Sequence, residues 1–221
     1  MVLTAGFYFL TWSNARLFAP EAVPWDASIR LDQLIPFSPG WVWIYILYFP
    51  ACFLPLVFVE VRRRIETFRR TALGYGLQFA VAFIFFALIP LRMARPEIVP
   101  SDLTETVLHG LYRIDPGFNL FPSLHVANTA FIACLTWSLR GPAAGLLAWG
   151  FCLLISVSAL LVKQHYFVDI PAGVLLGGAC YLTVFSEGLV FPGADRVLAP
   201  GRTKTARTPA PAEASLGSGA R

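Results

Sequence analysis

The sequence predicts an all-α integral membrane protein, a bundle of six helices, and three observations carry that expectation. Apolar residues make up 57% of the 221-residue chain and charged residues only 14%, and mean hydropathy is +0.64. Soluble domains are less apolar and more charged. Five runs, at about 41–60, 72–91, 122–139, 142–162 and 170–192, approach the roughly 20 apolar residues that a helix needs to cross a bilayer. The net charge of +4 is modest, so a nucleic-acid partner is not expected. Cys52, Cys134, Cys152 and Cys180 all lie inside apolar runs without paired metal-ligand spacing. They read as buried, inert thiols.

Taken in order, Val2–Trp12 is short for a span and is counted as a truncated or tilted first helix, interrupted by Asn14, Arg16, Pro20 and Pro24. A signal peptide is the rival reading, although no basic region precedes the stretch and no clear small-residue cleavage site follows it. The runs at 41–60 and 72–91 give the second and third helices. The connection at 92–121 holds Pro96, Pro100, Pro116 and Gly117, but also Leu103, Val107, Leu108 and Leu111. Those four have roughly helical spacing, which predicts a short interfacial helix between the third and fourth spans. The fourth and fifth helices meet at a tight Arg140-Gly-Pro turn, and the sixth follows at 170–192. Residues 1–192 thus form the transmembrane domain. From Gly193 the chain turns to Pro, Ala, Gly, Thr and Arg, which predicts a disordered tail over 193–221. No internal repeat, glycine-rich phosphate loop or nucleotide fingerprint is present.

The loops set the orientation. Arg62, Arg63, Arg64, Arg69 and Arg70 lie between the second and third helices, Arg140 in the tight turn, and Arg196, Arg202, Lys204 and Arg207 in the tail. These segments share one side of a six-helix topology, and arginine excess marks that side as cytoplasmic. The opposite loops mix signs. They also carry two histidine motifs, Phe121-Pro-Ser-Leu-His-Val-Ala127 and Lys163-Gln-His-Tyr-Phe-Val-Asp169. Ionisable groups at a membrane are costly and mark function. A bacterial-type inner (plasma) membrane protein, with its site on the non-cytoplasmic face and its tail in the cytoplasm, is the expectation.

Pro122 suits the first turn of a helix, with Ser123 and His125 following in that turn. Unpaired amides and the positive end of the helix dipole then make an anion site, well matched to phosphate. His165 and Asp169 are four apart, so one helical turn puts them on one face. The carboxylate can hold one ring nitrogen of His165 and leave the other as a basic nucleophile. Lys163 can supply positive charge to phosphate oxygens. About 17 residues, or ~25 Å of helix, lead from His125 to the tight turn, and the next helix returns a similar distance. Both imidazoles can therefore meet at one face.

The paired motifs, Phe121-Pro-Ser-Leu-His-Val-Ala127 with Lys163-Gln-His-Tyr-Phe-Val-Asp-Ile-Pro-Ala-Gly173, resemble those of the type 2 phosphatidic acid phosphatase superfamily. Their Pro-Ser-Leu-His and His-Tyr-x-x-Asp forms are similar to the branch containing inositol phosphorylceramide synthase. The resemblance implies that His165, aligned by Asp169, attacks phosphorus and becomes a phosphohistidine. It implies that His125 protonates the leaving group and that Ser123 contributes phosphate hydrogen bonds. The family's upstream Lys-x6-Arg-Pro pattern is half present: Arg95-Pro96 matches its end, Leu88 stands at the lysine position, and Arg92 is the compensating candidate. The Ser-Arg opening of the family's third motif falls on Ser158 and Ala159, which makes Lys163 the substitute for the arginine. Leu124 replaces the usual glycine.

The expected function is a membrane lipid phosphatase or phosphotransferase. The catalytic set is His165, His125 and Asp169; the phosphate-binding set is Arg95, Ser123, Lys163 and Arg92. A lipid phosphate is the substrate, water or a polyol the acceptor, and no cofactor or metal is expected. Three other readings stand beside it. One is a non-catalytic protein that binds or moves a phospholipid, and another a scaffold that has lost activity with the missing lysine and arginine. The third, a two-histidine, one-carboxylate metal site, fits poorly with Lys163 beside the cation. Arg92, Arg95 and Lys163 can equally anchor helix ends at the headgroups. Trp41, Trp43 and Tyr166 read as interfacial aromatics.

Overall fold

In the computed structural model of the chain, residues 25–57, 64–89, 91–115 and 117–186 are described. Among them the regular structure is helical, with a single isolated bridge between Trp25 and Leu91. The short helix α1 (Arg30–Leu34) is followed by a 3-10 turn at Pro39–Trp41 and three brief helices, α2 (Val42–Tyr45), α3 (Tyr48–Ala51) and α4 (Leu54–Val57). Then come α5 (Ile65–Leu88), α6 (Leu103–Ile114), α7 (Leu124–Arg140), α8 (Pro142–Leu161) and α9 (Asp169–Phe185). The expected first helix, Arg62, Arg63 and the tail from 187 lie outside the described residues.

The run at 41–60, expected as one span, is broken into α2, α3 and α4. Its backbone stays near helical at Ile46, Leu47 and Cys52, but Pro50 and Pro55 lack the N–H that an unbroken helix requires. The ladder slips into three-residue bonds such as Leu47 N to Ile44 O and Phe53 N to Pro50 O. The third expected span begins seven residues early, at Ile65. Its polar first turns are held in place by a pair within the helix and by a tertiary contact. Arg70 pairs with Glu66 at 2.8 Å and donates to the Val184 carbonyl at 3.0 Å, near the C-terminus of α9, where a cation is favoured.

Helix α6 forms where the leucine spacing predicts it. Asp102 caps it by accepting from the Glu105 amide at 2.8 Å, an arrangement worth about 1 kcal/mol. Leu108 and Leu111 are buried against Val42, Tyr45, Ala159 and Val162, while Leu103 faces outward.

At the centre runs α7, with every residue from Leu124 to Ala133 buried. Gly141, at φ 86°, ends α7 and starts α8; this left-handed region favours glycine. Against the other side of α7 lies α9. A Cβ added to Gly173 would sit 2.6 Å from Ser123 O, and one added to Gly177 would sit 2.2 Å from Ala127 O. The Gly-x-x-x-Gly spacing thus lets two helix backbones approach closely. Gly177→Ala is expected to cost about 1–3 kcal/mol by forcing them apart. Gly178→Ala, where nothing lies within 4 Å, should leave the melting temperature in detergent unchanged or raise it.

Among the described residues two helices, α5 and α8, are long and apolar enough to cross a membrane, yet only 22% and 33% of their most apolar windows are buried. The core helix of a soluble protein is mostly buried. Here α5 presents Ile84 and Leu88 outward and α8 presents Leu147 and Leu153, with Leu175 and Leu182 exposed on α9.

Candidate active site

Three backbone devices bring the two histidine motifs together. Ser123 is the N-cap of α7, its hydroxyl accepting from the Val126 amide at 3.4 Å. Pro122 therefore precedes the cap rather than occupying the first turn, and His125 enters as the second helical residue. The second device ends α8. Lys163 takes φ 51°, its amide donating to Leu160 O at 3.2 Å while the Gln164 amide donates to Ala159 O at 2.8 Å. This is a Schellman motif with lysine where glycine is usual, and it turns the chain so that His165 faces α7. The third device is the glycine contact of α9, which carries Asp169 to the start of α7. There the Ser123 amide donates to Asp169 O at 3.2 Å.

The result is a line of hydrogen-bonding groups. Asp169 Oδ2 lies 3.2 Å from His165 Nδ1 and also accepts from the Tyr166 amide at 2.9 Å. His165 Nε2 lies 3.1 Å from His125 Nδ1. All three side chains are at least 95% buried. A carboxylate can only accept, so His165 carries its proton on Nδ1 and presents a lone pair at Nε2. His125 Nδ1 must then be the donor between the rings.

A cavity of about 390 Å³ opens on His165, and Asp26, Asp32, Gln33, Arg95 and Lys163 are among the residues that line it. His125 is not among them. Arg95 donates to Lys163 O at 3.1 Å, to Asp115 O and to Gln164 Oε1, and lies over the Tyr112 ring at 4.7 Å. Its guanidinium thus holds the loop of the second motif while bordering the cavity. Lys163 Nζ donates to the carbonyls of Asp32 at 3.2 Å and Ile35 at 2.6 Å. Ser123 is fully buried as a cap. Arg92 stands apart from the cavity, over the Phe118 ring at 5.5 Å. Ser158 donates within its own helix, to Ile155 O at 2.8 Å.

Sequence reasoning missed two groups. One is the cavity wall formed by residues 26–35, tied down by Phe167 N donating to Asp32 Oδ1 at 2.7 Å and by the Tyr166 hydroxyl donating to Asp26 Oδ1 at 2.7 Å. Tyr166, expected at the interface, is instead buried. That burial, with the Asp26 carboxylate beside it, raises its phenol above the usual range, while the Tyr166 hydroxyl and the Ser28 amide lower Asp26. The other group is the aromatic surround of His125: the rings of Tyr48, Tyr45 and Phe49 lie 4.3, 4.9 and 6.4 Å from its imidazole. The Tyr45 hydroxyl is 2.7 Å from His125 Nε2. Two tyrosines three apart beside a helix-breaking proline were the available signal.

No curated protein and no solved structure matches the chain. A family model does. It spans residues 37–183, taking in both histidine motifs and the helices that join them. Members of that family are typically phosphoesterases, in keeping with an acid–histidine–histidine line beside two cations, and the chain belongs to the PAP2 superfamily.

Proposed function

We propose that the protein is an integral membrane lipid phosphatase or phosphotransferase that works through a phosphohistidine on His165. The observation that carries this reading is the Asp169–His165–His125 line, with contacts of 3.2 and 3.1 Å, at the edge of a cavity bordered by Lys163 and Arg95. His165 Nε2 attacks phosphorus in line with the leaving oxygen, and Asp169 stabilises the charge that forms on the ring. His125 Nδ1 gives its proton to the departing oxygen and then removes one from water or a polyol hydroxyl. At 3.1 Å the two nitrogens leave no room for phosphorus between them. The rings must part by a few ångströms, extending the cavity towards His125.

Lys163 and Arg95 hold the charge of the phosphoryl oxygens; Ser123 and the amides that open α7 are the further donors, and Arg92 is the outlying cation. The amine of Lys163 can exchange two neutral carbonyls for phosphate oxygens, a stronger charge-assisted contact. A lysine with φ 51° costs about 1–2 kcal/mol against glycine, so the side chain has a use the backbone does not explain. Lys163→Gly is expected to lower kcat/KM about 10- to 100-fold, the worth of one charged hydrogen bond. Lys163→Ala should lose as much activity and about 1 kcal/mol more stability than the glycine variant. Thermal melting and kinetics on the two variants check both statements.

The Pro-Ser-Leu-His form supports the inositol phosphorylceramide synthase-like branch, and the arginine distribution supports a non-cytoplasmic site in an inner membrane with a cytoplasmic tail. Phosphate release from a panel of lipid phosphates, with and without a polyol acceptor, tests the proposal. Release or transfer that depends on His165 supports it. Binding without turnover across the panel favours a phospholipid-binding protein instead.

A further inference from the structure

We propose that Tyr45 is the positioning residue of His125, setting which of its nitrogens carries the transferable proton, as Asp169 does for His165. This rests on the phosphohistidine reading above. The observation is a continuous chain of four groups. After Asp169, His165 and His125, the next member is the Tyr45 hydroxyl, 2.7 Å from His125 Nε2. Tyr45 comes from α2, 80 residues away in sequence, and is fully buried.

With both rings neutral, the proton assignments run along this chain from the carboxylate. Asp169 accepts a hydrogen bond from His165 Nδ1–H, so His165 Nε2 accepts and His125 Nδ1 donates. The remaining nitrogen of a neutral His125, Nε2, is then a lone pair, and the Tyr45 hydroxyl is its donor. When a phosphate dianion in the site favours the imidazolium, His125 takes a second proton from solvent, Nε2 becomes an N–H and the same hydroxyl accepts from it. The Nδ1–H bond breaks as the leaving oxygen gains that proton. His125 is left neutral, protonated at Nε2 and held there by the tyrosine oxygen, with a lone pair at Nδ1. That lone pair is the base which takes a proton from water or an acceptor alcohol in the second step. A hydroxyl can serve each stage because it both donates and accepts. A carboxylate could only accept, and would fix the wrong nitrogen as the base before the first transfer. The rings of Tyr48 and Phe49 keep the imidazole in one plane of approach but offer Nε2 no such exchange.

The test is Tyr45→Phe, which deletes one oxygen and keeps the ring contact. Turnover is measured on an alkyl phosphate, whose leaving oxygen needs a proton, and on p-nitrophenyl phosphate, whose leaving group does not. The expected result is a kcat loss of about 10- to 100-fold on the alkyl ester, at most a few-fold on the nitrophenyl ester, and little change in KM. The basic limb of the kcat/KM profile should move to lower pH, because a buried imidazolium that loses its Nε2 acceptor gives up its proton more readily. On a His125→Ala background the substitution should add nothing. Equal losses on both esters, an unmoved pH limb, or full activity would each overturn the role of Tyr45 while wild-type turnover leaves the phosphohistidine reading intact. If wild type turns over neither ester nor any lipid phosphate, the parent reading falls first and the tyrosine role with it.

Discussion

His165→Ala is expected to reduce phosphate release from lipid substrates to background, a loss of about 10⁴-fold or more. The reason is positional as well as chemical. Along the line, His165 is the histidine that borders the cavity, and its Nδ1 is held by a carboxylate at 3.2 Å. The neighbouring imidazole, His125, does not line the cavity and has no carboxylate on its other nitrogen, where the Tyr45 hydroxyl sits. Removal of the imidazole leaves Asp169 buried without its ring partner, so the variant should also melt at lower temperature. His165→Gln separates these effects: it restores packing and a hydrogen bond to Asp169 but supplies no nucleophile. Equal inactivity of a stable glutamine variant is the expected outcome, measured as phosphate release in detergent micelles.

Asp169→Asn should be nearly as damaging, with kcat lower by about 10³- to 10⁴-fold. The carboxylate accepts from His165 Nδ1 and from the Tyr166 amide through the same oxygen, Oδ2. An asparagine oxygen can keep the Tyr166 contact, but it brings no charge to stabilise the ring once phosphorylated. If its amide nitrogen faces the ring instead, the proton is driven to His165 Nε2 and the nucleophilic lone pair is lost. KM should move little, because Asp169 does not border the cavity. Asp169→Glu, one methylene longer in a fully buried position, is not expected to rescue activity.

How much of this was legible depended on whether the signal was local. The turn between α7 and α8 follows from Arg140-Gly141-Pro142 and α6 from the spacing of Leu103, Val107, Leu108 and Leu111, whereas the start of α7 was read at Pro122 and lies past Ser123, its cap. The meeting of His125 and His165 followed from helix length alone, because one hairpin of two helices returns the chain to its starting face. Other features needed partners from far along the chain. The early start of α5 depends on Arg70 reaching Val184 O, and mean hydropathy there pointed to a later residue. Pro50 and Pro55 were visible, but the apolar run around them outweighed them. Lys163 was legible as a charge, whereas its left-handed backbone and its hold on residues 32 and 35 were not. The cavity wall at 26–35 and the tyrosines around His125 arise from packing that no periodicity encodes.

The central claim is that a phosphoryl group resides for a time on His165. Exposure of the purified protein to a lipid phosphate labelled at phosphorus, followed by a denaturing alkaline quench and peptide mapping, tests it most directly, since phosphohistidine survives alkali. The account predicts label on the peptide containing His165, chased by water or an acceptor alcohol and absent from His165→Ala. Sustained wild-type turnover with no trapped label, or with label on another residue, would contradict it.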